Sequence, residues 1–308
     1  MNSSFAKFNE VRRACPPEEI SGRRARPLLG TLVEISVGGA REKILHAAIE
    51  KAFERIKLVH DLMSFHDESS DVSRLNRFAH RRWVSIHPLT FKVLKMAQQI
   101  SEETNGIFDC AIANHLVRWQ YLPRWNFVPR SGKGTFRDID LSNSPKVKFQ
   151  KPLAIDLGGI AKGFAVDEAV RMLKSSGVFY GVVNAGGDLK IFGKKKQAVA
   201  IRSPRNDGKF ISLVPVSETS VATSAGYFSS KICRGRKVSA MVDPRKGIPL
   251  LKRWSVSVFA DSCMIADALT KVVFALGEQS AAFMSKFKTS ALILYPNNQM
   301  RFFDGRTG

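Results

Sequence analysis

Acidic residues are scarce in this sequence, 27 Asp and Glu against 48 Lys and Arg, and the formal charge is +21. The chain also lacks a helix-turn-helix, a zinc finger and an RNA-binding sheet signature, so the charge points to no specific nucleic-acid partner. It reflects either general polyanion affinity or the steering of an anionic small molecule. Cysteine is sparse too. Its four residues, Cys15, Cys110, Cys233 and Cys263, lie far apart. No CxxC pair and no Cys/His zinc spacing exists, which excludes a disulfide framework and a structural zinc. No window approaches 18 consecutive apolar residues, so no membrane-spanning helix is expected. The first residues hold no apolar signal core, and the expectation is a cytoplasmic chain with residues 1–25 as a loosely ordered basic arm. Repeats and low-complexity tracts are absent, and nothing bears on oligomeric state.

What is present is ordinary globular text. At 308 residues, 44% hydrophobic and 24% charged, the chain has room for one large domain. Residues 28–37 alternate like a strand, and 42–63 carry helical apolar spacing. A second helix is expected from Pro88 to Thr104, with the proline at its start. Residues 119–150 read as an irregular, basic surface excursion. Strands are expected at 178–183, 189–192, 197–202, 211–216, 237–243, 254–260 and 290–295, with a helix over 262–276. Hairpins among helices make the fold class α+β. The expected domain runs from 26 to 300, with 301–308 as a tail.

Residues 155–170 read IDLGGIAKGFAVDEAV. The preceding PLAID predicts a short strand ending on Asp156. Gly158 and Gly159 predict a turn, and Ala165 to Leu173 have helical spacing. A strand, glycine turn and helix expose amides at a helix N-terminus, where a phosphate is favoured, and Lys162 adds a point charge. The segment is neither a Walker loop nor GxGxxG. Either the glycines let the backbone approach a ligand, or they only allow tight packing. Asp156 and Asp188 sit beside glycines, where short carboxylates also serve merely to satisfy turn amides.

Seven segments follow in order: LMSFHDESSDVSRLN (62–76), TNGIFD (104–109), DLGGIAKG (156–163), NAGGDL (184–189), VATSAGY (221–227), VDPRKGIPL (242–250) and MIADALTKVVFALG (264–277). Together they resemble the FAD:protein FMN transferase family, the ApbE-like flavin transferases, over Gly30 to Gly277. The resemblance implies ApbE-like mixed sheets flanked by helices in two intertwined subdomains. It implies that FAD is bound as substrate, that its pyrophosphate is split with Mg²⁺ and AMP released, and that FMN is joined to a Thr or Ser of an acceptor flavoprotein. By likeness, Asp267 and the Ala161 carbonyl are metal ligands, and Asp267 and Lys271 stand at the catalytic positions. Met63 and Tyr227 are expected at the flavin, unless they are plain core. Asp156, Gly158, Gly159, Gly186, Gly187 and Ser224 are expected around the cofactor, with Lys162 or Asp167 at its nucleotide end.

The sequence departs from the family at the metal site. The family's ADALAT reads ADALTK here, so Lys271 holds the threonine position, and Thr270 lies about 100° round the helix. A lysine four residues after Asp267 is spaced for an ion pair, and its ammonium can fill the place of the metal. Alternatively, the helix is rotated so that Thr270 or a water completes the shell and Lys271 leans outward. The family's histidine before DP is Ala240, and its DPxTG threonine is Lys246. His66 is either a pocket residue or an ordinary loop histidine. Two readings of activity follow, a transferase with an atypical site and an FAD-binding paralogue that has lost the reaction. A third is a basic RNA- or partner-binding protein on the same scaffold.

Overall fold

The computed structural model describes residues 22–129, 134–202, 210–212, 216–226, 230–297 and 299–306. Eight strands form one sheet in chain order: Gly22–Leu28, Thr31–Gly38, Tyr180–Ala185, Asp188–Phe192, Ser220–Ala225, Ser255–Ala260, Ser290–Leu294 and Met300–Asp304. Every neighbouring pair is antiparallel. The α+β expectation holds. The sheet takes in residues 22–25 of the expected arm at one edge and residues 301–304 of the expected tail at the other. The rest of the arm, residues 1–21, lies outside the described residues.

Among the described residues seven α-helices accompany the sheet: α1 (Glu42–Met63), α2 (Asp71–Phe78), α3 (Pro88–Glu103), α4 (Ala113–Arg118), α5 (Ala161–Ser175), α6 (Cys263–Leu276) and α7 (Ala281–Lys286). In α1, Leu45, Ala48, Ile49, Ala52, Phe53, Ile56, Val59 and Met63 recur every three or four residues and are all buried. That stripe packs on α5, α5 packs on α6, and α6 lies on the strands Ser220–Ala225 and Ser255–Ala260. α6 is apolar almost all round because it is sandwiched, and only a few of its positions reach a surface. Pro88 opens α3 as expected, and His87 Nδ1 accepts from Leu89 N at 3.1 Å.

Between α1 and α5 the chain leaves the main sheet for an excursion holding α2, α3, α4 and a small sheet of Val84–Ser85, Lys146–Phe149 and Ile139–Leu141. The expected irregular stretch therefore contains two strands. The excursion returns through residues 152–156, where the expected strand does not form. Among the described residues no strand pairs with it. Its backbone is held instead by a side chain and a loop: Asn76 exchanges two bonds with Ile155 (2.8 and 3.0 Å), and Asp156 N donates to Cys110 O at 2.9 Å. A satellite cluster of Leu116, Trp119, Cys233, Val238 and Val242 fastens the hairpin Ser230–Cys233/Arg236–Ser239 to α4.

Candidate active site

A cleft of about 960 Å³ opens where the excursion, the hairpin region and the N-terminal end of α5 meet. Val59, Met63, Phe65, Ile107, Phe108, Leu116 and Leu122 supply much of an apolar wall. Asp156, Lys162, Ser224 and Lys271 line the same cleft and form its polar end. Met63 is the buried last residue of α1, so it is both core and cleft wall.

The polar end is built from the crossing of α5 and α6. A Cβ on Gly163 would collide with the Cys263 carbonyl and stand 2.9 Å from Asp267 Cβ, so only glycine allows this approach. Gly163 N can then donate to Asp267 Oδ2 at 3.1 Å. Gly158 and Gly159 lie in the expected turn, with neither in the left-handed backbone region. Gly158 N turns back to Asp156 Oδ2 at 3.1 Å. A Cβ on Gly159 would lie 3.4 Å from Lys271 Cε and 3.7 Å from Phe108 Cε2, which places the lysine stem and the Phe108 ring against this turn.

Asp267 is fully buried. Its Oδ1 accepts from Lys271 Nζ, which also donates to the Asp267 carbonyl at 2.9 Å. Lys162 Nζ donates to Asp188 Oδ2 at 2.6 Å and stands 3.6 Å from Asp267 Oδ2. Burial alone would raise the Asp267 carboxyl, but Lys162, Lys271 and the Gly163 amide outweigh it and hold the group below its ordinary range. Burial pulls Lys162 down, and Asp188 and Asp267 push it up further, so it stays an ammonium. Burial holds the Asp156 carboxyl up against the opposing pull of the Gly158 amide, His66, Lys162 and Lys271. Thr270 does not face the cleft. It is fully buried, with its hydroxyl donating to Asp267 O at 2.7 Å and 2.8 Å from Ser224 Oγ. The helix is thus not rotated, and Lys271 points in.

Mg²⁺ requires several oxygen ligands at near-octahedral positions. Here both Asp267 oxygens are already engaged by an ammonium or an amide, and no threonine oxygen stands beside them. Among the described residues no group of three His, Cys, Asp or Glu could hold a metal ion. Ala161 lines the cleft as the first residue of α5, but with Asp267 occupied it has no partner ligand. The expected Mg²⁺ set does not fit these residues.

Other expected residues act at a distance. Asp167 is not part of the cleft wall; it accepts from Lys190 Nζ (2.7 Å), Ser262 Oγ (2.7 Å), Cys263 N (3.1 Å) and Met264 N (3.0 Å), capping α6. The start of a following helix needed those acceptors more than a ligand did. Gly186 (φ +65°) and Gly187 (φ +103°) form the tight turn joining Tyr180–Ala185 to Asp188–Phe192. That backbone favours glycine, and it delivers Asp188 to Lys162. Tyr227 lies outside the described residues. His66 does line the cleft, as do His60 and Asp67, which the sequence reading did not single out. Asp109 was also unassigned. It is buried, accepts from Ala111 N (2.8 Å) and Phe136 N (3.0 Å), and burial still carries its carboxyl up to about 6. Its place at the end of TNGIFD, a carboxylate closing an apolar run, was the available signal.

The ApbE family matches residues 29–293. The FAD:protein FMN transferase of Treponema pallidum is 28% identical over 90% of this chain and 85% of its own. That of Vibrio cholerae is also 28% identical, over 82% and 80%. The crystal structure of the ApbE protein of Thermotoga maritima superposes with a TM-score of 0.81 at 25% identity, covering 92% of this chain and 96% of that one. The flavin transferase ApbE of Vibrio cholerae shares the fold with a TM-score of 0.76. With a match that spans the inner strands of the sheet, the cleft and both crossing helices, the chain belongs to the ApbE family.

Proposed function

We propose that this chain is an FAD:protein FMN transferase. The observation that carries the reading is the cleft itself, lined by both an apolar wall and two lysines, inside a chain that matches the family over residues 29–293. A flavin ring calls for a large apolar wall, and a diphosphate calls for fixed cations and donors. Met63, Phe65, Ile107 and Phe108 supply the first. Lys162 and Lys271 supply the second, held in place by Asp188 and Asp267.

The reaction joins the hydroxyl oxygen of an acceptor Thr or Ser to the phosphorus on the FMN side of the diphosphate. The bridging P–O bond breaks, and AMP leaves. The chain contributes positioning and charge. The two ammonium groups face the oxygens on which charge builds, as phosphoryl transfer requires. Asp156 lines the same end with its carboxyl held up by burial, and it takes the acceptor's proton in this reading. The family histidine has no counterpart at Ala240, so the proton must go elsewhere. Cys110, Cys233 and Cys263 are buried and free, which supports a reducing compartment such as the cytoplasm.

The test is incubation of the purified chain with FAD and an acceptor flavoprotein, followed by chromatography for AMP and mass spectrometry of the acceptor. AMP should appear in step with an acceptor mass increase of one FMN phosphodiester. AMP without acceptor modification would mean hydrolysis only, and no AMP in any acceptor mixture would reject the transferase reading.

A further inference from the structure

We infer that Lys271 occupies the place of a divalent cation, so that the polar end of the cleft is a metal-independent diphosphate site formed by two lysine ammonium groups. The inference rests on the proposed flavin-transferase reading for its ligand, but not for the arrangement of the residues. Lys271 bonds both the side chain and the carbonyl of Asp267, and Lys162 bonds Asp188. Each ammonium has three donors. The bonds to these carboxylates and the carbonyl leave at least one N–H on each for a ligand. Asp188 is paired with Lys162 and Asp267 with both lysines, so a divalent cation entering here would have to strip Lys271 from Asp267 and leave its ammonium beside a doubly charged ion.

Two further observations favour the lysine as a built part of the site. The Lys271 stem packs against the turn, with its Cε in van der Waals range of a Cβ position at Gly159 (3.4 Å). The hydroxyl of the adjacent Thr270 is committed to Asp267 O and Ser224, so no threonine oxygen waits to complete a metal shell. The same geometry explains how Asp267 stays ionised inside the protein with no metal to neutralise it. The ligand class is a diphosphate ester, with the flavin on the apolar side.

The experiment has one arm without flavin. Titrating Mg²⁺ alone into the wild-type chain by calorimetry should give no saturable heat, and the Lys271→Thr variant should gain a site. In the second arm, flavin fluorescence should report the same FAD affinity, within about twofold, in EDTA and in millimolar Mg²⁺. Lys271→Thr should bind FAD at least tenfold more weakly in EDTA and recover in Mg²⁺. Saturable Mg²⁺ binding by the wild type, or a tenfold loss of its FAD affinity in EDTA, would overturn the inference whether or not Lys271→Thr folds. No FAD binding in either buffer would overturn the flavin reading and this site's assigned ligand together, an outcome the calorimetry distinguishes from metal dependence.

Discussion

At its polar end the cleft is walled by two long helices that cross at Gly163, and its charged groups are bonded to one another and to the backbone, Lys162 to Asp188 across elements and Lys271 to Asp267 within α6. At its far end the wall comes from Leu116, Leu122, Ala240 and Val242, which pack in or against a small cluster separate from the main core. The hairpin behind that wall exposes Lys231, Ile232, Arg234, Arg236 and Lys237. The first end is held by close helix packing and by ion pairs to buried carboxylates. The second is held by a few side chains. Fixed charge belongs where a phosphoryl centre reacts, whereas a wall held by few side chains tolerates local adjustment.

The largest break in this contrast is Asp267→Ala. It strands Lys271 and Lys162 beside a buried hole and should cost about 3–5 kcal/mol in denaturant unfolding. A loss below about 1 kcal/mol would mean that the amines are solvated and the polar end is not rigid. Gly163→Ala comes next, because its Cβ must push α6 away from α5; about 3 kcal/mol is expected, at the upper end of overpacking costs.

Asp109 sharpens the comparison on the α4 side through pH. Folding raises its carboxyl from 3.8 to about 6, so the native state binds this proton more tightly than the unfolded chain. Its stabilising effect is complete below about pH 4 and is lost as pH rises through 6, on the order of 2–3 kcal/mol over that window. Unfolding free energies across pH 4 to 7 should show this decline in wild type, and Asp109→Asn should remove it. An equal slope in both proteins would place the proton elsewhere.

The smallest effect is expected at the hairpin. Val238→Ala should lower global stability by less than about 1 kcal/mol, because the cluster it weakens can open locally. Val258→Ala, in a central strand of the main sheet, should cost about 2–3 kcal/mol. Equal costs would show one cooperative core reaching both ends.

Much of the frame was legible because its signals are local and periodic. α1, α3, α5 and α6 follow from apolar spacing and a proline, and the glycine segments mark the turn at Gly186 and the crossing at Gly163. Lys271 opposite Asp267 was readable from i, i+4 spacing alone. The non-strand at 152–156 was not legible, since its apolar text matches a strand and only the distant Asn76 satisfies its backbone. The capping role of Asp167 was hidden for the same reason: its four donors come from Lys190 and from residues 262–264. Asp109 and the edge strands Gly22–Leu28 and Met300–Asp304 depend on partners far along the chain that no local pattern announces.

The central claim is that one flavin dinucleotide spans the cleft with its diphosphate at Lys162 and Lys271. Fluorescence titration of FAD against the wild-type chain and Gly159→Val, with ADP as competitor, tests it most directly. The account predicts saturable one-to-one quenching, displacement by ADP, and at least tenfold weaker binding when valine crowds Lys271 and Phe108. No binding up to millimolar FAD, or an affinity untouched by Gly159→Val, would contradict it.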